Sequence, residues 1–292
     1  MLREFWRLTK AAASAWWEDR AMSLGAAIAF FTAFSLAPIL FAAIAVAGLA
    51  FGRDEARGAL VSEFGTLVGD KGAATVETMI ASAGNVGSGV FGTMVGTVTF
   101  LLIATGAIVE LQDDLNIIWK ARFPEYGGLH GFIRARLLSL VLVLGFGFLL
   151  LVSLVIDAGL SALGAYLEAA FSGTAMILAI LNSVVAFGIA VLLFAMIFKI
   201  LPQVELTWRD VAMGAVVTGV LFTVGKFLIG WYLGRSNLAS GYGAAASLIT
   251  IMLWIYYSSL ILLFGAEFTK AFAESRGSRR KNAGAAAHLP AR

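Results

Sequence analysis

The chain has no cysteine, and only 13% of its 292 residues are charged. The absence of cysteine excludes disulfide frameworks, thiol catalysis and thiolate-bound zinc. Soluble domains carry about 25% charged residues, so the charges here are too few to cover a chain that is 60% hydrophobic. Low charge and high hydrophobicity also exclude general disorder. The composition therefore indicates an integral membrane protein.

Groups for acid–base or metal chemistry are equally scarce. The two histidines are His130 and His288, and the acidic doublet Asp113-Asp114 has no partner cluster nearby in the sequence. Phosphodiester hydrolysis usually needs carboxylate-bound metal ions or paired histidines. The phosphate-binding pattern G-x-x-x-x-G-K-[ST] is missing as well. We therefore expect no enzymatic activity, no metal, no cofactor and no nucleic-acid partner.

Six apolar stretches, each of about 20 residues or more, follow one another along the chain. At a rise of 1.5 Å per residue, a helix of this length crosses the ~30 Å hydrocarbon layer of a bilayer. We predict an all-α, polytopic membrane protein: a six-helix transmembrane bundle in one domain over residues 1–275. The predicted spans lie near residues 22–51, 90–109, 137–163, 174–201, 211–233 and 244–268.

Three segments lie outside these spans. Residues 1–20 place apolar and cationic side chains on different helical faces, which predicts an N-terminal interfacial helix; a helix packed on its own bundle is the alternative. Residues 52–88 predict an outer amphipathic segment of one or two helices between spans one and two. Residues 276–292 are basic and rich in alanine, which predicts a disordered cytoplasmic tail.

The distribution of lysine and arginine predicts the orientation in the membrane. Four lie before span one, four between spans two and three, two between spans four and five, and six after span six. Sixteen of the 21 cations are therefore on one side. Both termini are predicted to be cytoplasmic in a multi-pass membrane protein. The other five cations are Arg53, Arg57, Lys71, Lys226 and Arg235.

Ionisable groups at the inner ends of the spans are the first candidates for a functional site. Charge within a membrane is costly, so such groups tend to be paired or functional. They could form an ion-pair network that closes an inner gate, or they could snorkel to the interface and mark its boundary. These candidates are Glu110, Arg134, Arg136, Lys199, Glu267 and Lys270.

Further candidates lie deeper or beside the spans. Lys226 in span five could pair with Asp157 in span three, or it could snorkel outward alone. Asn116 could join helices by hydrogen bonds or cap a turn. Pro38 predicts a kink in span one, and the freed carbonyls could line a polar path or be satisfied by Ser35.

Small residues predict a close helix contact in span two. Ser88, Gly92 and Gly96 recur at four-residue intervals, which allows a second helix to approach closely. The same face would serve within the bundle or between two copies of the chain. A homo-oligomer is therefore left open.

Four segments, in order, carry a resemblance to known proteins. They are AAIAFFTAFSLAPIL ending at Leu40, LQDDLNIIWKA (111–121), GFIRARLLSL (131–140) and the run from 201 to 273, in which YGAA, LWIYYS and GAE keep a specific spacing. From about residue 20 to about residue 275 the chain resembles the YihY/BrkB family of bacterial inner-membrane proteins. Phe30 and Phe31 depart from the family, which commonly has tyrosines there, so no phenolic role is carried over.

The resemblance implies a six-span helical membrane protein. Members of the family carry the names virulence factor and ribonuclease BN, and transport is a common suggestion for their activity. The scarcity of histidines and clustered carboxylates in this chain argues against the ribonuclease function. The resemblance therefore predicts the architecture, whereas the chemical function has to be inferred from the residues themselves.

Two functions from different classes remain. The favoured hypothesis is a transporter or permease, with a weak preference for a lipid or other amphipathic substrate because few polar groups are available to line a path. The alternative is a non-enzymatic envelope scaffold that acts through partners at the outer segment and the basic tail. Membrane lipids are expected partners under both hypotheses.

Overall fold

The computed structural model describes residues 2–83, 90–121, 175–235 and 246–278, with isolated positions between 133 and 145. These parts of the chain are helical and contain no strand, which confirms the all-α prediction. Apart from those isolated positions, the predicted third span lies outside the described residues, as does the tail beyond residue 278. The helices are α1 (Leu2–Glu18), α2 (Ala21–Phe51), α3 (Arg53–Ala83), α4 (Val90–Ile118), α5 (Ala175–Ile200), α6 (Trp208–Arg235) and α7 (Ala246–Ser275).

Three of the described helices are long and apolar enough to cross a membrane. These stretches are Ile180–Ile200, Trp208–Trp231 and Leu248–Ser275, which correspond to predicted spans four, five and six. A shorter apolar stretch, Ala21–Leu36, begins α2, within predicted span one. Predicted span two falls within α4.

Helix α7 is the centre of the packing. It contacts α1, α2, α3, α4 and α6, whereas α5 packs on α6. The largest apolar cluster joins α2, α4, α5, α6 and α7, and its fully buried members include Leu115, Phe198 and Leu263. A second cluster joins α2, α3 and the beginning of α7 around Val76 and Ile251. Most elements therefore depend on α7 for part of their buried surface.

The N-terminal helix α1 packs on the second half of α7. Leu8 and Ala12 are buried against Phe268, and the indole N–H of Trp16 donates to the carbonyl of Leu260 at 3.3 Å. Of the two arrangements considered for residues 1–20, packing on the chain's own bundle is therefore present. The ring of Phe5 lies 5.6 Å from that of Phe268 and is still half exposed, and Trp6 and Trp17 are exposed as well.

Helix α3 folds back on itself within the outer amphipathic segment. The guanidinium of Arg57 lies 2.9 Å from the carboxylate of Glu77, although 20 residues of straight helix would separate them by about 30 Å. A Cβ placed on Gly65 would lie 3.8 Å from the Cβ of Ala73. Residues 53–83 therefore form two helical arms joined near residues 65–73, rather than one straight helix.

Helices α6 and α7 approach each other most closely at two matched pairs of residues. A Cβ added to Gly214 would lie 1.7 Å from Oγ1 of Thr269, and one added to Gly265 would lie 1.8 Å from Oγ1 of Thr218. Each threonine hydroxyl donates to the carbonyl of the glycine four residues before it, Thr218 to Gly214 at 2.8 Å and Thr269 to Gly265 at 2.7 Å. This contact, the glycine–threonine crossing, lets two membrane helices meet almost backbone to backbone.

Pro38 lies buried inside the continuous helix α2. Ser35 does not serve the carbonyl that Pro38 frees, because its hydroxyl donates instead to the carbonyl of Ile103 in α4. A hydroxyl has one proton to donate, so the role suggested for Ser35 is corrected. Ser35 ties α2 to α4.

Candidate functional site

A buried ionic cluster joins the α1–α2 turn to α7. It consists of Asp19, Glu267 and Lys270; the Nζ of Lys270 lies 3.7 Å from Oδ2 of Asp19 and 3.5 Å from Oε2 of Glu267. The side chain of Glu267 is 1% exposed, that of Lys270 11% and that of Asp19 19%. The turn that carries Asp19 is fixed by Arg20, whose φ of 55° places it in the left-handed region.

The buried ionic cluster is costly for the fold. Removing ions from water costs several kcal/mol for each ion, and mutual attraction offsets this only when geometry and hydrogen bonding are good. Neither oxygen of Glu267, nor Oδ2 of Asp19, finds a hydrogen-bond donor among the described residues. Apolar side chains of similar size would stabilise this position more effectively, so we interpret the cluster as a candidate functional site.

The segment after α7 closes the same end of the bundle. Arg276 pairs with Glu4 of α1, and Ser278 donates to the carboxylate of Asp210 through its amide at 3.1 Å and its hydroxyl at 2.7 Å. Thr207 donates to the same oxygen of Asp210 at 2.8 Å. These contacts hold the beginnings of α1 and α6 against the end of α7, beside the buried ionic cluster.

A second set of carboxylates lies at the end of α4, beyond predicted span two. Asp114 is 2% exposed, and its Oδ2 has no donor within the described part of the chain. Burial, together with the charges of Glu110 and Asp113, raises the pKa of Asp114 to about 7. Burial also raises the pKa of Asp113 and, with the Asp113 charge, that of Glu110.

Asp114→Asn is expected to stabilise the protein above about pH 7 and to have little effect near pH 4. From the ordinary carboxyl pKa of about 4 up to the raised value, the folded protein holds a proton that the unfolded chain has lost. The free energy of unfolding therefore falls by at most about 4 kcal/mol as the pH rises through this window. Asparagine at position 114 has no carboxyl group to titrate, so the variant does not show this decrease. Equilibrium unfolding in detergent at several pH values measures it, with Glu274→Gln, which removes an exposed carboxylate from α7, as control. An equal gain in the free energy of unfolding near pH 4 and above pH 7 would show that titration of Asp114 is not the cause.

Polar side chains of α4 hold the loop between α5 and α6. The side-chain amide nitrogen of Gln112, Nε2, donates to the backbone carbonyl of Leu201 at 3.0 Å. Oδ1 of Asn116 accepts from the backbone N–H of Gln203 at 2.9 Å. Gln112 and Asn116 are both buried. Asn116 therefore lies at a contact between α4 and the loop.

The other boundary charges have different partners. Lys199 donates to the carbonyl of Leu206, and its ammonium lies 5.8 Å from the ring centre of Trp208. Arg136 donates to α4, at the carbonyl of Leu102 and at the hydroxyl of Thr105, over 2.9 and 2.7 Å. Of the six boundary charges, the structure brings Glu267 and Lys270 together.

Lys226 lies on the exposed surface of α6. Its ammonium is 5.5 Å from the ring centre of Phe227, and Phe227 is itself 68% exposed. The suggested partner Asp157 lies outside the described residues, as does Arg134. The surroundings of Lys226 are therefore those of an outward-facing side chain.

The sequence does not single out two carboxylates that have buried oxygen atoms in the structure. Asp19 belongs to a polar turn, and nothing nearby in the sequence shows that it meets a residue 251 positions away. Asp210 precedes an apolar stretch and resembles an ordinary helix-start residue. The available signal for Asp210 was Thr207 three residues earlier, a spacing typical of helix N-termini. In the described ranges no three His, Cys, Asp or Glu side chains are arranged to hold a metal ion.

Comparison with known proteins places the chain in a family. The family described as "Virulence factor BrkB" matches residues 12–290. A UPF0761 membrane protein of Pseudomonas aeruginosa is 30% identical over 275 residues, which cover 90% of this chain and 62% of that protein. One from Tolumonas auensis is 29% identical over 183 residues, 62% of this chain and 58% of the relative.

The chain thus spans about three fifths of the length of these relatives, and no solved structure matches it. The family match nevertheless covers nearly the whole sequence, including both halves of the buried ionic cluster. The chain belongs to the BrkB family of membrane proteins.

Proposed function

We propose that this protein is a multi-pass transporter or permease of the bacterial inner membrane. The observation that carries the proposal is the buried ionic cluster of Asp19, Glu267 and Lys270, in which Glu267 is 1% exposed. Charges at membrane depth usually mark substrate or ion pathways, since a structural role alone is served better by apolar side chains. The cluster joins three helices, so a change in its charge would act on their relative positions.

The substrate class we propose is a lipid or another amphipathic molecule. Large apolar side chains are exposed along α2 at Phe30, Phe31 and Phe34, and along α6 at Val224 and Phe227. In a bilayer such surfaces face acyl chains, and a substrate with an acyl chain could reach the bundle from the side. The headgroup would then meet the few buried polar groups.

The membrane arrangement that supports this function has six spans and cytoplasmic termini. In it α1 lies at the inner surface, with Arg3, Arg7 and Lys10 near anionic headgroups and the exposed Trp6 and Trp17 in the interfacial layer. Because the chain has no cysteine, single introduced cysteines can be tested for labelling from either side. Labelling of residue 3 only from the outside would contradict the arrangement.

Glu267→Gln is expected to slow lipid transfer between leaflets at least tenfold in proteoliposomes that contain the purified protein. Tenfold corresponds to about 1.4 kcal/mol in the barrier. The initial rate is measured with a fluorescent phospholipid and a fluorescent lysophospholipid placed in one leaflet. The matched control is Glu274→Gln, which removes an exposed carboxylate from the same helix and should leave the rate unchanged. A wild-type rate no higher than that of protein-free liposomes contradicts the proposal.

The competing function, a scaffold without transport activity, gives a different result when the tail is deleted. The deletion should begin at residue 279, because Arg276 and Ser278 hold α1 and α6 in the folded protein. A transporter keeps its flux without the tail, whereas a scaffold loses its cellular function. We propose no enzymatic activity, cofactor or nucleic-acid partner for either case.

A further inference from the structure

The buried ionic cluster has more negative charge than its one cation can balance. Two carboxylates, Asp19 and Glu267, share the ammonium of Lys270, at 3.7 and 3.5 Å. Both distances exceed the 2.7–3.2 Å of a good N–H···O hydrogen bond. If all three groups are ionised, the cluster has a net charge of −1 in a site where Glu267 is almost fully buried.

The same cluster also lacks a hydrogen-bond donor. Both oxygens of Glu267 and Oδ2 of Asp19 are without one among the described residues, although buried polar atoms are nearly always hydrogen-bonded. The two carboxyl groups lie 3.7 and 3.5 Å from the same ammonium nitrogen, so a hydrogen bond between them is one way to supply the missing donor. Two carboxylates cannot bond in this way, because neither has a proton to donate. One proton on either group supplies the donor.

Among the described residues, the neighbouring elements leave Glu267 without another compensating charge. Around Glu267, the charged groups that act on it within the described part of the chain are Asp19 from the α1–α2 turn and Lys270 from its own helix. Its neighbours on α7 include the buried apolar residues Ala266 and Phe268. From α6, Gly214 and the fully buried Thr218 face this part of α7, and neither carries a charge.

We propose that Asp19 and Glu267 bind one proton as a pair and release it, and that this exchange couples the transport proposed above to the proton gradient. The bound proton forms an O–H bond on one carboxyl group and a hydrogen bond to the other, and the cluster becomes neutral. Release leaves two carboxylates whose repulsion favours separation of the α1–α2 turn from α7. The coupling rests on the proposed transport function, whereas the proton site does not.

Infrared spectroscopy of the purified full-length protein tests the proton site directly. The measurement is made in the Asp114→Asn background, because the carboxyl group of Asp114, with its pKa of about 7, would give a second titrating band. In this background the C=O stretch of a protonated carboxyl group is expected to disappear as the pH is raised from about 5 to about 9. The band should be absent from both Glu267→Gln and Asp19→Asn, because each leaves no carboxyl pair. The exposed controls Glu274→Gln and Glu18→Gln should retain it. A titration of Asp114→Asn alone that is indistinguishable from those of the same protein carrying Glu267→Gln or Asp19→Asn overturns the proposal.

Lipid transfer under an imposed pH gradient tests the coupling. The wild-type rate is expected to change at least threefold when the gradient is applied, and the Glu267→Gln rate should not respond. Transfer that occurs but ignores the gradient overturns the coupling and leaves the transport function intact. A titrating carboxyl band without any lipid transfer overturns the transport function and leaves the proton site intact. A response to a sodium gradient at constant pH overturns the assignment to protons.

Discussion

Replacing Lys270 by methionine is expected to destabilise the folded protein by about 3–5 kcal/mol at alkaline pH. Methionine keeps most of the volume of the side chain but removes the cation of the buried ionic cluster. Asp19 and Glu267 then face each other without compensation, in a site where Glu267 is 1% exposed. Equilibrium unfolding in mixed detergent micelles measures the loss. At acidic pH the loss should be smaller, because both carboxyl groups can then take up protons.

A double-mutant cycle separates charge from packing in this result. Adding Glu267→Gln to Lys270→Met should recover part of the lost stability, since one of the two uncompensated charges is removed. Lys10→Met removes an exposed cation from α1 and should change the stability by less than about 0.5 kcal/mol. If the double variant is as unstable as the sum of its single variants, the cluster contributes through packing and the electrostatic interpretation fails.

Gly214→Ala is expected to destabilise the protein by about 3 kcal/mol, the upper end of the range for overpacking. The added methyl group would lie 1.7 Å from the hydroxyl oxygen of Thr269 and 2.8 Å from its Cβ. Relief requires α6 and α7 to separate, because the obstructing Cβ is attached directly to the backbone. Thermal unfolding in detergent and the yield of folded protein measure the effect, and Gly265→Ala should give the same result at Thr218.

The chain offers a matched control and a rescue for this prediction. Gly230 lies on the same helix with open space around its Cβ position, so Gly230→Ala should be neutral or stabilising, as expected for alanine in a helix. Combining Gly214→Ala with Thr269→Gly removes the clash and should restore much of the lost stability. Equal losses from Gly214→Ala and Gly230→Ala would show that helix propensity, rather than the crossing, determines the effect.

Much of the architecture follows from composition and hydrophobic length. Helices long and apolar enough to cross a membrane lie where the sequence predicts spans four to six, because a continuous apolar run of 20 or more residues is typical of a membrane-spanning helix. The close contact between α6 and α7 has a recognisable pattern in the sequence, although it is not among the predictions. Gly214 and Thr218, like Gly265 and Thr269, repeat a small residue at four-residue spacing, the pattern that drew attention to span two instead. Ser88 of span two lies outside the described residues.

The candidate site was only half predictable. Glu267 and Lys270 were visible as ionisable groups in an apolar stretch. Asp19 was not, because pairing between residues so far apart in the chain depends on how α1 and α2 dock onto α7. For residues 52–88 the sequence leaves one or two helices open, and the contacts between the two arms of α3 decide for a fold-back near residues 65–73.

The central position of α7 has a consequence for biosynthesis. This helix is the last of those described to leave the ribosome, yet α1, α2, α3, α4 and α6 all pack against it. Leu8 and Ala12 cannot reach their buried positions against Phe268 until nearly the whole chain has been made. The earlier helices therefore lack these contacts during synthesis, and assembly completes only after translation of α7. Chains that end before α7 are expected to be substrates for proteolysis.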